Sequence, residues 1–184
     1  MKKIMFNDKF LLTQAVLNGT KTMTRRLLKE GTPLGNWEET AKCLPYKVGD
    51  IVAIAQPYKD IIECMAEYSD IIINVDGSIN REYKAGWTNK MFVKANLMPH
   101  HIKITDVRIE RLQDITEEDC LKEGVWQYYD NKNLFYISKN IGYAPDVAFL
   151  SAREAFWYLI DKICGKGTLE RNPWVGAYTF EKVD

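Results

Sequence analysis

One stretch constrains this chain more than any other. From His101 to Leu112 the sequence runs HIKITDVRIERL, with Ile102, Ile104, Val107, Ile109 and Leu112 as its apolar positions. Apolar residues at every second place mark a strand with one face on a core. The alternation breaks between Ile104 and Val107, where Thr105 and Asp106 stand side by side. An additional polar residue at such a break predicts a β-bulge.

Shorter elements surround this strand. Lys3 to Phe6 reads as a first strand. Asp8 is placed to cap a helix carrying Phe10, Leu11, Ala15, Val16 and Leu17. Asn18-Gly19 stops that helix, with Gly19 suited to a left-handed C′ position. Thr22 to Leu27 is extended. Residues 30–47, with Gly31, Pro33, Gly35 and Pro45, read as loop. Asp50 to Ala55 is a strand, Asp60 to Val75 reads as further strands, and Asp76-Gly77 is a hairpin signal. Thr116 caps a short helix whose first turn holds Glu117, Glu118 and Asp119, and Gly124 closes it. Residues 126–146 are aromatic and irregular. Val147 to Cys164 has helical apolar spacing and ends at Gly165, and Pro173 to Phe180 is a final strand. The expected fold class is α+β, a small, mostly antiparallel β-barrel with helices at its loops.

Composition narrows the function classes. The chain has 25 basic and 25 acidic residues, so no excess of cations is present to coat nucleic acid nonspecifically. A local basic site is still allowed. Seven cations against Asp8 alone give residues 1–29 a balance of +6, while residues 105–130 hold eight acids against three cations. This asymmetry fits an anion site facing away from an acidic surface, or two solvated clusters. The apolar runs are too short for a membrane span. Met1-Lys2-Lys3 is followed by no apolar stretch, so no signal peptide is expected and a cytoplasmic location is. Cys43, Cys64, Cys120 and Cys164 form no C-x-x-C pair, which predicts reduced thiols, no disulfide and no metal site.

The densest polar cluster is Gly19-Thr20-Lys21-Thr22-Met23-Thr24-Arg25-Arg26. Its hydroxyls and guanidinium groups suit a phosphate or carboxylate, with Thr22, Arg25 and Arg26 as ligand-binding candidates. The competing reading is a charged, exposed strand edge. Together with Val48-Gly49-Asp50-Ile51-Val52, this cluster resembles the opening signature of the ASCH domain. The segment from Thr105 to Asp119, followed by Glu123-Gly124, is similar to the long strand and helix of phage- and prophage-associated ASCH proteins. Asn172-Pro173-Trp174-Val175, with Phe180, resembles their last strand.

The resemblance implies a PUA-like barrel whose cleft binds RNA or a nucleoside- or nucleotide-like ligand, with no cofactor. It implies one domain over 1–184, with inserted loops around 28–47, 58–92 and 126–146. One ASCH branch is an amidohydrolase that converts N4-acetylcytidine to cytidine and acetate. Its lysine, threonine and glutamate fall on Lys21, Thr24 and Glu123, and its nearby arginine on Arg26. A desolvated lysine can activate a hydroxyl or a water, and a carboxylate can pass a proton to the leaving amine. A structural or partner-binding protein of a mobile element is the third reading. In a regular strand residues 21 and 24 face opposite sides, while Thr22, Thr24 and Arg26 share one.

Other candidates compete with ordinary structural roles. His100 and His101 are adjacent, and adjacent strand residues point apart, so they make a poor metal pair. Trp37, Trp87, Trp126, Tyr128 and Tyr129 can stack on bases or anchor loops. Trp157 is expected to turn away from the core between Phe156 and Tyr158. Trp174 is expected to be largely buried, next to a pairing of the last strand with Thr22–Leu27.

Overall fold

A computed structural model of the chain describes residues 1–64, 68–137 and 147–184. The expected strands at 65–67 and the irregular segment at 138–146 lie outside the described residues. Five strands form one mixed sheet: β1 (Lys2–Ile4), β2 (Met23–Leu27), β3 (Ile51–Ile54), β4 (His101–Arg111) and β7 (Trp174–Lys182), in the order β1-β3-β4-β7-β2. Strands β5 (Trp126–Gln127) and β6 (Phe135–Tyr136) pair separately. The fold is therefore α+β. Internal contacts group the chain into two compact units. Met1–Phe6, Ile51–Lys103 and Lys182–Asp184 form the first, and Asn7–Asp50 with Ile104–Glu181 the second.

In the first unit β1 runs parallel to β3, with Lys2 opposite Val52 and Ile4 opposite Ile54. Strand β3 is antiparallel to the start of β4, with Val52 opposite Ile102. Of residues 60–75, expected as strands, most of the described ones are instead helical, in α3 (Tyr58–Cys64) and α4 (Ser69–Ile72). Tyr58 and Ile61 are one turn apart, and both are buried among Ala53, Ile72, Tyr83 and Val93. The β-branched run at Ile71–Ile73 suggested a strand, yet only Ile73 pairs, across the Asp76-Gly77 turn, with Ile79. Lys3 Nζ donates to the carbonyls of Met91 at 2.6 Å and Val93 at 2.8 Å, fixing β1 against the loop after α4. The imidazole Nδ1 of His100 lies 2.6 Å from an Asp184 carboxylate oxygen.

In the second unit Asp8 does not cap the first helix. It opens a 3₁₀ turn, and its carboxylate accepts the Thr13 hydroxyl at 2.5 Å. Helix α1 (Leu12–Leu17) follows Leu11, whose φ of 54° is left-handed. Residues 30–47, expected as loop, contain α2 (Trp37–Cys43), started by Asn36 accepting the Glu38 amide at 2.9 Å. That single cap outweighs the surrounding glycines and prolines.

Strand β2 is antiparallel to β7, from Met23 opposite Thr179 to Leu27 opposite Val175. Along β4, Ile102, Ile104 and Val107 are buried, and Thr105 and Asp106 are both exposed, where the sequence breaks its period. Helix α5 (Glu117–Lys122) is capped by Thr116, whose hydroxyl accepts the Asp119 amide. Helix α6 (Ala152–Cys164), capped by Ser151, starts five residues later than expected, and α7 (Thr168–Arg171) follows. Phe156 and Ala155 enter a core with Leu112, Ile115, Cys120 and Val175. Trp157 packs half-buried on that core, and Tyr158, 36% exposed, is the residue that turns out. Trp174 is half-buried beneath the Arg111 guanidinium, 4.4 Å above its ring. Among the described residues no helix is long and apolar enough to cross a membrane.

Candidate functional site

The polar cluster lies in the second unit, where the chain leaves α1 and enters β2. Gly19 supplies the left-handed turn with φ 73°, and the Lys21 amide donates back to the Ala15 carbonyl. The Thr22 amide donates to the Lys122 carbonyl at 2.9 Å, tying this segment to the end of α5. Gly124, at φ 100°, ends α5, and a Cβ there would meet the Lys21 stem at 3.5 Å. Two glycines thus bring a lysine and a helix end together.

Lys21 Nζ donates to Glu123 Oε2 at 2.6 Å and to the Glu123 carbonyl at 2.6 Å. The other carboxylate oxygen of Glu123 accepts from Arg25 at 3.2 Å. Arg25 also donates to Glu110 at 2.7 Å and to Asp119 at 2.8 Å. Asp119 accepts a further bond from Arg108 at 2.8 Å. Lys21, Arg25 and Glu123 are 2%, 7% and 4% exposed. Three cations (Lys21, Arg25, Arg108) face three carboxylates (Glu110, Asp119, Glu123), and Lys122, 3.9 Å from Asp119, is paired with Glu118, so this cluster is close to neutral.

Burial sets the electrostatics. Desolvation pulls the Lys21 ammonium below its ordinary pKa, Glu123 opposes this, and the charges of Arg26 and Arg25 add to it. Burial also disfavours charged Arg25, but Glu123 and Glu110 outweigh it and hold the guanidinium more firmly protonated. Burial acts against the Asp119 carboxylate too, but hydrogen bonds from Arg25 and Arg108 win and lower its pKa. The neighbouring Cys120 thiol is pushed up to about 12 by burial.

Of the residues proposed from sequence, Lys21, Arg25 and Glu123 meet directly. Thr24 is buried opposite Tyr178, and Arg26 is half-buried opposite Gly176. Strand alternation puts both on the sheet face away from Arg25. Thr22 contributes its backbone, with its carbonyl accepting from the Phe180 amide at 2.9 Å. The sequence reading overlooked Glu110, Arg108 and Asp119. Arg108 and Glu110 share one face of β4 by alternation, a signal that could have paired them with the arginines of β2.

Two of the cavities among the described residues are walled by the second unit. One of about 150 Å³ is walled by residues including Arg26, Lys29, Thr32, Cys43 and Tyr178. The other, about 280 Å³, is lined mainly by aromatic and apolar groups, including Trp37, Leu44, Tyr46 and Val107. Tyr46 meets Tyr178 edge-to-face, with centroids 5.6 Å apart. Among the described residues no group of three or more His, Cys, Asp or Glu is placed to hold a metal ion. Cys43, Cys120 and Cys164 are free thiols.

No family model matches the sequence, and no curated protein matches it. Among solved structures, the crystal structure of protein EF3133 from Enterococcus faecalis V583, with the family description DUF984, is similar to this chain. The TM-score is 0.42 and the identity 13%, over 94% of this chain and 67% of that one.

Proposed function

We propose that this chain is an ASCH-type, PUA-like protein that binds a small nucleoside- or nucleotide-derived ligand beside Lys21 and Glu123. The ligand class rests on the sequence resemblance. The place rests on one observation: an ammonium and a carboxylate 102 positions apart in sequence are held at 2.6 Å, both buried. Replacing a buried ion pair with apolar residues is often neutral or stabilising, so such a pair is a poor device for stability alone. A buried titratable pair with a perturbed lysine is a candidate functional site. The near-neutral charge of the cluster favours an uncharged base over an RNA backbone, whose phosphates need cations in excess.

The lowered proton affinity of Lys21 favours a second reading, hydrolysis of an N4-acylated cytidine. Neutral Lys21 takes a proton from water as the hydroxide oxygen bonds to the acyl carbon. The C–N bond then breaks, and the proton passes through Glu123 to the leaving exocyclic nitrogen. The products are a carboxylic acid and cytidine. The test is incubation with N4-acetylcytidine, following cytidine by chromatography, beside calorimetric titration with cytidine. Binding without turnover supports the first reading. Turnover abolished by Lys21→Ala, with binding retained, supports the second. A folded protein that neither binds nor turns over either compound overturns both.

A further inference from the structure

The cavity beside Tyr178 lies on the opposite sheet face from Arg25 and has a chemistry of its own. Its walls come from the end of β2, the segment after it, the end of α2 and β7. The segment is well fixed. The Leu28 amide donates to the Trp174 carbonyl at 3.0 Å, and the Thr32 amide and hydroxyl both donate to the Lys29 carbonyl, at 3.1 and 2.7 Å. Gly31, at φ 79°, makes the turn between them. Among the described residues the lining includes two cations, Arg26 and Lys29, and no carboxylate.

Tyr178 is 0% exposed, and its hydroxyl has no hydrogen-bond partner among the described residues. A buried hydroxyl without an acceptor is unfavourable, and phenylalanine would fill the same volume without that penalty. Gly176 leaves the space beside it: a Cβ there would stand 3.0 Å from the Tyr178 oxygen. Burial raises the phenol pKa to about 12, so at neutral pH the group keeps the proton it can donate. At about 150 Å³ the cavity is well below the roughly 300–1,000 Å³ of a site for a drug-sized ligand. It takes one compact group.

We propose that this cavity binds a phosphate-sized oxyanion, with the Tyr178 hydroxyl donating to it and Arg26 and Lys29 balancing its charge. Hydrogen-bond donors and cations around a small cavity are the usual means of holding such a group. The inference does not depend on the ligand proposed for Lys21 and Glu123.

The test is calorimetric titration of the full chain with inorganic phosphate in a phosphate-free buffer. One saturable site is expected. Tyr178→Phe should weaken it about tenfold or more, since a hydrogen bond to a charged group is lost. The same variant should unfold at the same temperature as the parent or higher, which separates ligand binding from a structural role. Lys29→Gln, at an exposed residue, should also weaken binding and reduce its dependence on salt. Tighter binding of cytidine monophosphate than of inorganic phosphate would assign the oxyanion to a nucleotide, and equal binding would assign it to a free anion. Absence of saturable phosphate binding up to about 10 mM, or parental affinity in both variants, overturns the proposal.

Discussion

Glu123→Gln isolates one charge in the buried cluster while keeping the side chain's shape. Arg25 keeps Glu110 and Asp119 as partners, so the loss falls on Lys21. Lys21 keeps the main-chain carbonyl of residue 123 but loses the carboxylate oxygen 2.6 Å away. Removing one partner of a buried pair costs about 3–5 kcal/mol. An independent ceiling agrees. A lone buried lysine can shed its proton, and neutralising one at pH 7 costs about 1.36 kcal/mol for each of roughly 3.4 pH units, near 5 kcal/mol. A loss of about 3 kcal/mol at pH 7 is therefore expected.

The pH dependence follows from the same groups. Glu123 raises the proton affinity of Lys21, so the variant's lysine loses its proton at a lower pH than the parent's, itself below the ordinary 10.5. Between those two pKa values the folded variant holds fewer protons than the folded parent, and the unfolded chains hold the same number. The penalty is full below this window and shrinks as pH rises through it. Urea unfolding followed by tryptophan fluorescence measures it at pH 7 and at steps toward pH 10. A loss under about 1 kcal/mol at pH 7, or one that does not shrink with rising pH, would refute the reasoning.

Two further outcomes are expected. In a Cys64→Ser background at pH 8, a thiol reagent should label Cys43 and Cys164 and spare Cys120, whose thiol is buried with a pKa raised to about 12. Labelling of Cys120 in folded protein at the rate of the other two would contradict its place in the core. Gly86→Ala should cost about 1–3 kcal/mol of stability, because the new methyl would stand 2.5 Å from the buried Tyr58 ring. A change below about 0.5 kcal/mol in urea unfolding would mean that the ring moves aside freely.

What was legible in the sequence follows the physics of each element. Strands β2, β4 and β7 were readable because each carries its pattern or its punctuation locally, and β4 shows its phase break at Thr105 and Asp106 in both sequence and burial. Helices α2, α3 and α4 were not. Their lengths of seven, seven and four residues give too few turns for a period, and Ile71–Ile73 has β-branched composition. Lys21 and Glu123 came from a motif resemblance, because nothing in local spacing ties residues 102 apart. Arg26 was expected to join them, yet Arg25 touches Glu123, since alternation along β2 sends successive arginines to opposite faces. Nothing in the sequence sets Tyr178 apart from its strand neighbours; its hydroxyl, without a hydrogen-bond partner among the described residues, does so in the structure.

The bond between Lys21 and Glu123 also governs how long a folded molecule survives. Closing a loop of 102 residues carries an entropic cost of about 4 kcal/mol, (3/2)RT ln n plus a constant, and this side-chain bond is expected to form after the barrier to folding. Interactions absent from the transition state act on the unfolding rate and barely touch the folding rate. With the bond formed after the barrier, a loss of about 3 kcal/mol in Glu123→Gln is expected to appear as unfolding roughly a hundredfold faster. Residues 21 and 123 are then expected to act as a latch, which Glu123→Gln tests as faster unfolding at an unchanged folding rate.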